Sequence, residues 1–247
     1  MIGDIAREIF IRAAPLTQVV LRCTSHQFNK IAPHIAAKLP LHAPHIAMEF
    51  NSINLFKWLI AMGCPWSKQL CQTATDHGRL NILKWIYEDN MCVHNMYAKY
   101  SDTDSSLQDR AAANGNIDIL RWWRNNRCEG LPEQRQNGYP QYTSTLSMAI
   151  IHGQFSTIKW LWSHGWLYSK YHCAYAAEHG HLEILRWLRQ NNCPWDESTC
   201  SCAAMSGHLA ILQWARANGC PWDSYVTRYA RKYKHFDMWR WATENGC

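Results

Sequence analysis

The chain has 247 residues, 47% of them hydrophobic, and a formal net charge of +6. That is enough apolar material for a continuous core, but no apolar run approaches the ~18 residues a membrane span needs. Asp4, Arg7 and Glu8 interrupt the start where a secretory signal would stand, so a soluble, intracellular, cytoplasmic protein is expected.

In chain order, residues 1–33 form a small helical module. Ile5, Ile9 and Phe10 share one helical face, Pro15 breaks it, and Thr17 can cap a second helix carrying Val20 and Leu21, with Phe28 seven residues on. So short a segment is too small to be stable alone. Residues 34–44 read as a connector punctuated by Pro40 and Pro44. Residues 45–247 are an array.

The array is marked by Trp58, Trp85, Trp122, Trp160, Trp187, Trp214 and Trp241. Four of the intervals are 27 residues; the other two, 37 and 38, are one period plus a short insert. A fixed period of this size signals a repeat architecture. Seven residues before the Trp stand Gly78, Gly115, Gly153, Gly180 and Gly207, with Asn51 and Lys234 in the outer copies. Leu209, Ile211, Leu212 and Trp214 make a helical apolar stripe. The preceding Gly stops an Ala-rich first helix expected over Thr199 to Met205, because Gly takes the left-handed turn at least cost. Asp196 and Asp223 stand where an N-cap would accept amide hydrogens. Each unit is thus helix, turn, helix, short loop, all-α, with the Trp row expected as a core ladder whose members cost about 3–5 kcal/mol each to remove. The more polar last copy, Arg231 to Cys247, suits a capping repeat.

Inserts fall after two of the Trp helices, over Val93 to Asp109 and Glu129 to Thr145. Inserts in repeat arrays map to loops on one face, often the binding face. Tyr97, Tyr100, Asp102, Arg135, Tyr139 and Tyr142 give these loops a recognition composition, and they are the candidate target-binding residues. Loop growth without a partner is the plainer alternative.

Of 11 cysteines, Cys64, Cys128, Cys193, Cys220 and Cys247 lie six residues after a reference Trp. They are expected as reduced, half-buried thiols in a packed row. A basic row precedes the Trp (Lys57, Lys84, Arg121, Lys159, Arg186, Arg240), and Asp118, Glu183 and Asp237 each precede an Arg by three. That is a solvated face with local ion pairs; a strip for nucleic acid is the alternative, and no nucleic-acid motif supports it. No metal-ligand spacing, phosphate loop or nucleophile motif is present, so neither a metal, a cofactor nor an enzymatic activity is expected.

The stretch Ala203-Ala204 with Gly207-His208-Leu209-Ala210-Ile211-Leu212 resembles the ankyrin repeat, with its Ala-Ala-x-x-Gly-His core. The period of 27 is shorter than the ~33 of that family, and Cys-Pro-Trp-Asp takes the loop; this short type is similar to repeats of giant DNA viruses. The resemblance implies an all-α ankyrin-like helical-repeat solenoid of about seven repeats, binding proteins as a monomer. The N-terminal segment resembles the F-box: Asp4 stands for the Glu of its opening, Ile5, Ile9, Phe10 and Pro15 match, Thr17 replaces an Asp and Phe28 the Trp. That resemblance implies docking of a Skp-family adaptor of a cullin-RING ubiquitin ligase through Ile5, Ile9, Phe10, Pro15, Val20 and Phe28, and an adaptor acting in a host cytoplasm or nucleus. The alternative is a plain binding scaffold whose N-terminal helices only cap the array.

Overall fold

The computed structural model describes Met48 and residues 51–61, 68–88, 107–125 and 144–247. The chain divides into two compact units, Met1–Asn95 and Met96–Cys247. The N-terminal helical module and the connector lie outside the described residues.

In the first unit, α1 (Ile53–Ala61) is followed by α2 (Lys68–Asp76) and α3 (Leu80–Glu88). Leu70, Cys71 and Ala74 of α2 and Ile82, Leu83 and Ile86 of α3 are buried together with Phe56. The Phe56 ring meets Trp85 edge-on at 5.7 Å.

The second unit holds five hairpins: α4 (Leu107–Ala113) with α5 (Ile117–Asn125), α6 (Ser144–Ile151) with α7 (Phe155–Ser163), α8 (Lys170–Glu178) with α9 (Leu182–Gln190), α10 (Glu197–Ser206) with α11 (Leu209–Ala217), and α12 (Tyr225–Lys232) with α13 (Phe236–Glu244). All described regular structure is helical. First helices pack on first helices, α4 on α6, α6 on α8, α8 on α10 and α10 on α12, and each second helix lies against its own partner. Small residues make the close first-helix layer: Ala111, Ala112, Ala176, Ala177, Ala203 and Ala204 are fully buried. The α4–α6 step is also tied by Thr145, whose hydroxyl donates to the buried Asp109 at 2.6 Å.

Start and stop chemistry follows the sequence. Asp196 caps α10 by accepting from the Ser198 amide at 3.0 Å, and Asp223 accepts from Tyr225 in the same way. The helix α10 runs from Glu197 to Ser206, slightly longer than the expected Thr199 to Met205. Gly207 ends it at φ +80, and Asn51 and Lys234 hold the same left-handed turn at φ +51 and +66.

Two expectations are corrected. Trp85, Trp122, Trp160, Trp187, Trp214 and Trp241 are half-buried rather than a core ladder; the Trp58 side chain lies outside the described residues. The core residues of the second helices stand three and two before the Trp and one after it, as Ile184, Leu185 and Leu188 or Ile211, Leu212 and Ala215. At 100° per residue these share one direction, and the Trp falls at its edge. The inserts are also shorter than expected, because α4 already begins at Leu107 and α6 at Ser144.

Candidate interaction surface

What remains exposed depends on what the repeat spends on joining neighbours. In the last three copies a His follows the left-handed residue and reaches back to the preceding first helix: Nε2–H of His181 donates to the Ile151 carbonyl at 3.0 Å, His208 to Glu178 at 3.1 Å and His235 to Met205 at 3.2 Å. A carbonyl can only accept, so Nε2 carries the proton. The same rings leave no room at the glycines. A Cβ on Gly180 would stand 2.9 Å from His208, and one on Gly207 2.6 Å from His235.

The loops are equally committed. Trp195 meets Trp214 at 5.9 Å and Trp222 meets Trp241 at 5.9 Å, each joining a loop to the next second helix. The Arg two after the reference Trp stacks over the loop ring, Arg189 on Trp195 at 4.1 Å and Arg216 on Trp222 at 4.3 Å. Both donate to the loop Cys carbonyl, Arg189 to Cys193 and Arg216 to Cys220. The loop thiols donate inward, Cys193 to the Ser169 carbonyl at 3.5 Å and Cys220 to Asp196 at 3.4 Å. A hydrogen bond with Cys193, then burial, pushes the Cys173 thiol far above its usual range, and Cys220 acts likewise on Cys200. These thiols stay protonated and are unsuited as nucleophiles. Cys173, Cys193, Cys200, Cys202, Cys220 and Cys247 are free, as expected, and Cys193 and Cys220 are fully buried rather than half-buried. Cys71, which is not one of that loop row and stands fourteen residues before its Trp as Cys173 and Cys200 stand before theirs, is disulfide-bonded.

On the second helices the basic row is locally paired. Arg121 meets Asp118 at 3.1 Å, Arg186 meets Glu183 at 3.0 Å and Arg240 meets Asp237 at 3.9 Å. This is the solvated face read from the spacing.

The first helices carry the unspent surface. Counting back from the left-handed residue, the ninth place holds Tyr171, Ser198 and Tyr225, and the fifth holds Met148, Tyr175, Cys202 and Tyr229. None of these side chains is buried. Tyr175 is half-buried; burial raises its phenol pKa, with Glu178, Cys202 and Tyr171 adding to the rise. Burial, then Glu178 and Asp196, pushes the Cys202 thiol up to about 11, so it is neutral at ordinary pH. Lys170 lies 5.4 Å over the Tyr171 ring and pairs with Asp196 at 2.7 Å. Burial would raise the Asp196 carboxyl, but hydrogen bonds from Lys170 and Ser198 outweigh it and hold it below its usual range. The arrangement is a band of Tyr, Met and small polar groups set by repeat geometry. Such a band can bind a protein surface through rigid amphipathic rings. Among the described residues no cluster of three or more metal-ligating side chains occurs, and no helix is long and apolar enough to cross a membrane.

Of the residues singled out from sequence, Tyr97, Tyr100, Asp102, Arg135, Tyr139 and Tyr142 lie outside the described residues, as do Ile5, Ile9, Phe10, Pro15, Val20 and Phe28. The first-helix tyrosines were missed, although their fixed offset from the glycine was there to be read.

Residues 173–216 match the family model described as ankyrin repeats (many copies). Among solved structures, the crystal structure of the human ASB11 ankyrin repeat domain is similar, at 17% identity and a TM-score of 0.51, over 74% of this chain and 85% of that one. No curated protein matches the chain. The hairpins, their glycine turns and these two likenesses agree: residues 173–216 carry ankyrin repeats, and the described residues form an all-helical array with an ankyrin-like fold.

Proposed function

We propose that the array is a protein-binding scaffold that presents its first-helix face to a target, and that residues 1–33 link it to a cullin-RING ubiquitin ligase through a Skp-family adaptor. The observation that carries the scaffold reading is the row Tyr171, Tyr175, Tyr225 and Tyr229, exposed at Tyr171 and Tyr225 and half-buried at Tyr175 and Tyr229, which keeps the same places on successive first helices. The inserts Val93 to Asp109 and Glu129 to Thr145, with Tyr97, Tyr100, Asp102, Arg135, Tyr139 and Tyr142, would add further target contacts. The ligase link is supported by the F-box-like pattern of Ile5, Ile9, Phe10 and Pro15.

Co-purification with a Skp-family adaptor tests that link, with wild type beside an Ile9→Asp/Phe10→Asp variant and circular dichroism confirming folded repeats. Capture by wild type and loss in the variant is expected. A folded wild-type chain that captures no adaptor would reduce the segment to a cap and leave the scaffold alone.

A further inference from the structure

The helix α12 differs from the first helices before it. It packs on α10 and on α13, and no described element covers its remaining side. Residues 225–236 hold four cations, Arg228, Arg231, Lys232 and Lys234, and no carboxylate. Arg228 and Arg231 are exposed where α10 carries Ser201 and the buried Ala204. The acids that flank it in sequence are engaged: Asp223 accepts from the Tyr225 amide and Asp237 pairs with Arg240. None of the four cations has an ion pair among the described residues. The helix dipole favours Arg231 and Lys232 in the last turn, but it does not account for Arg228 or Lys234. Lys234 occupies a left-handed turn at φ +66 where five other copies have glycine. A side chain held there at a conformational cost points to a use for it.

Beside the cations runs a tyrosine row. Tyr225 and Tyr229 lie 5.6 Å apart and Tyr229 and Tyr233 6.3 Å apart. Arg228 sits 5.8 Å over Tyr225 and Lys232 5.0 Å over Tyr233, which holds the two charges against the rings. Tyr225 and Tyr233 remain 46% and 42% exposed.

We propose that this side of α12 docks an acidic polypeptide segment, its carboxylates meeting Arg228, Arg231, Lys232 and Lys234 and its backbone lying along the tyrosine row. The proposal rests on the reading of the array as a protein-binding scaffold and names the chemistry of one partner. Charge complementarity selects an acidic occupant, and guanidinium forks suit carboxylates. A single-stranded nucleic acid is also anionic, but it needs open ring faces on which bases stack. Here the rings lean on one another and carry cations.

Fluorescence anisotropy of the full chain with a labelled peptide of alternating Glu and Ser tests this, beside the Gln/Ser analogue and a single-stranded oligonucleotide of equal charge. The Glu peptide is expected to bind at ~0.15 M salt, where exposed charges are screened beyond about 8 Å. The Gln analogue and an Arg228→Glu/Arg231→Glu variant are each expected to bind at least about tenfold more weakly. Both substitutions are at exposed positions, so circular dichroism should be unchanged. No binding of the Glu peptide, equal binding by the reversed variant, or tighter binding of the oligonucleotide would each overturn the proposal. A Tyr171→Ala/Tyr175→Ala variant should keep the Glu peptide. Absence of peptide binding in a chain that still captures a target through Tyr171 and Tyr175 would leave the scaffold reading standing and remove this one.

Discussion

At the scale of single residues, the glycine that ends one first helix and the histidine of the next copy act as one device in three successive steps. Gly180 has φ +79, a region costly to any side chain, and its missing Cβ makes room for the His208 ring. Gly180→Ala is expected to cost about 2 kcal/mol, from strain plus the contact, read as a shift in the urea midpoint. In a His208→Ala background the same change should cost less, because the contact is gone; equal costs in both backgrounds would contradict the clasp. The other titratable residue of consequence is His172, which is 1% exposed and accepts from the Ser169 amide through Nδ1 at 2.8 Å. Burial lowers its pKa from 6.5 to about 4. The folded chain therefore disfavours the proton that the unfolded chain accepts. This contribution is complete above pH ~6.5 and is lost as pH falls toward ~4, up to about 3 kcal/mol. His172→Gln keeps an acceptor for the amide and cannot titrate, so its stability should fall less between pH 6.5 and 4 than that of wild type.

At the scale of helices and loops, consecutive repeats are joined by side chains that the sequence displays but does not explain. The Cys-Pro-Trp-Asp loop was legible as a loop, and Asp196 as a cap. That its Trp195 meets Trp214, with Arg189 stacked behind, was not legible, because spacing gives a helical face but not which ring fills the space beside it. The same limit produced the error over the Trp row. A period of 3.6 places Trp214 near Ile211 and Leu212, and only packing shows that Ala215 shares the core direction while the Trp lies at its margin. A double-mutant cycle on Trp195→Ala and Trp214→Ala should give a coupling of about 0.5–1.5 kcal/mol beyond the area each ring buries. Additive costs would mean that the two rings act independently.

At the scale of the whole chain, the recurrence that identified the fold does not mark the surface proposed here for binding. Residues that recur, such as the Trp, His and Arg rows, are those that hold neighbours together. On the account proposed above, recognition falls to places where recurrence stops: Tyr171 and Tyr225 stand where Ser198 stands in the copy between them, and Arg228 and Arg231 stand where the two preceding copies have Ala174 and Ser201, and Ala177 and Ala204. The tyrosines of the inserts are conspicuous in the sequence, whereas those of the first helices share an offset from the turn without a recurring identity, so no repeat pattern marks them. The most direct measurement is site-specific photocrosslinking in cells that make the full chain, with a benzophenone side chain placed at Tyr171 of α8 or at Gln213 of α11. The expected result is a discrete protein adduct from position 171 and none from position 213, both of which are exposed to solvent. An adduct from 213 alone, or from neither position, would contradict target binding by the first-helix face.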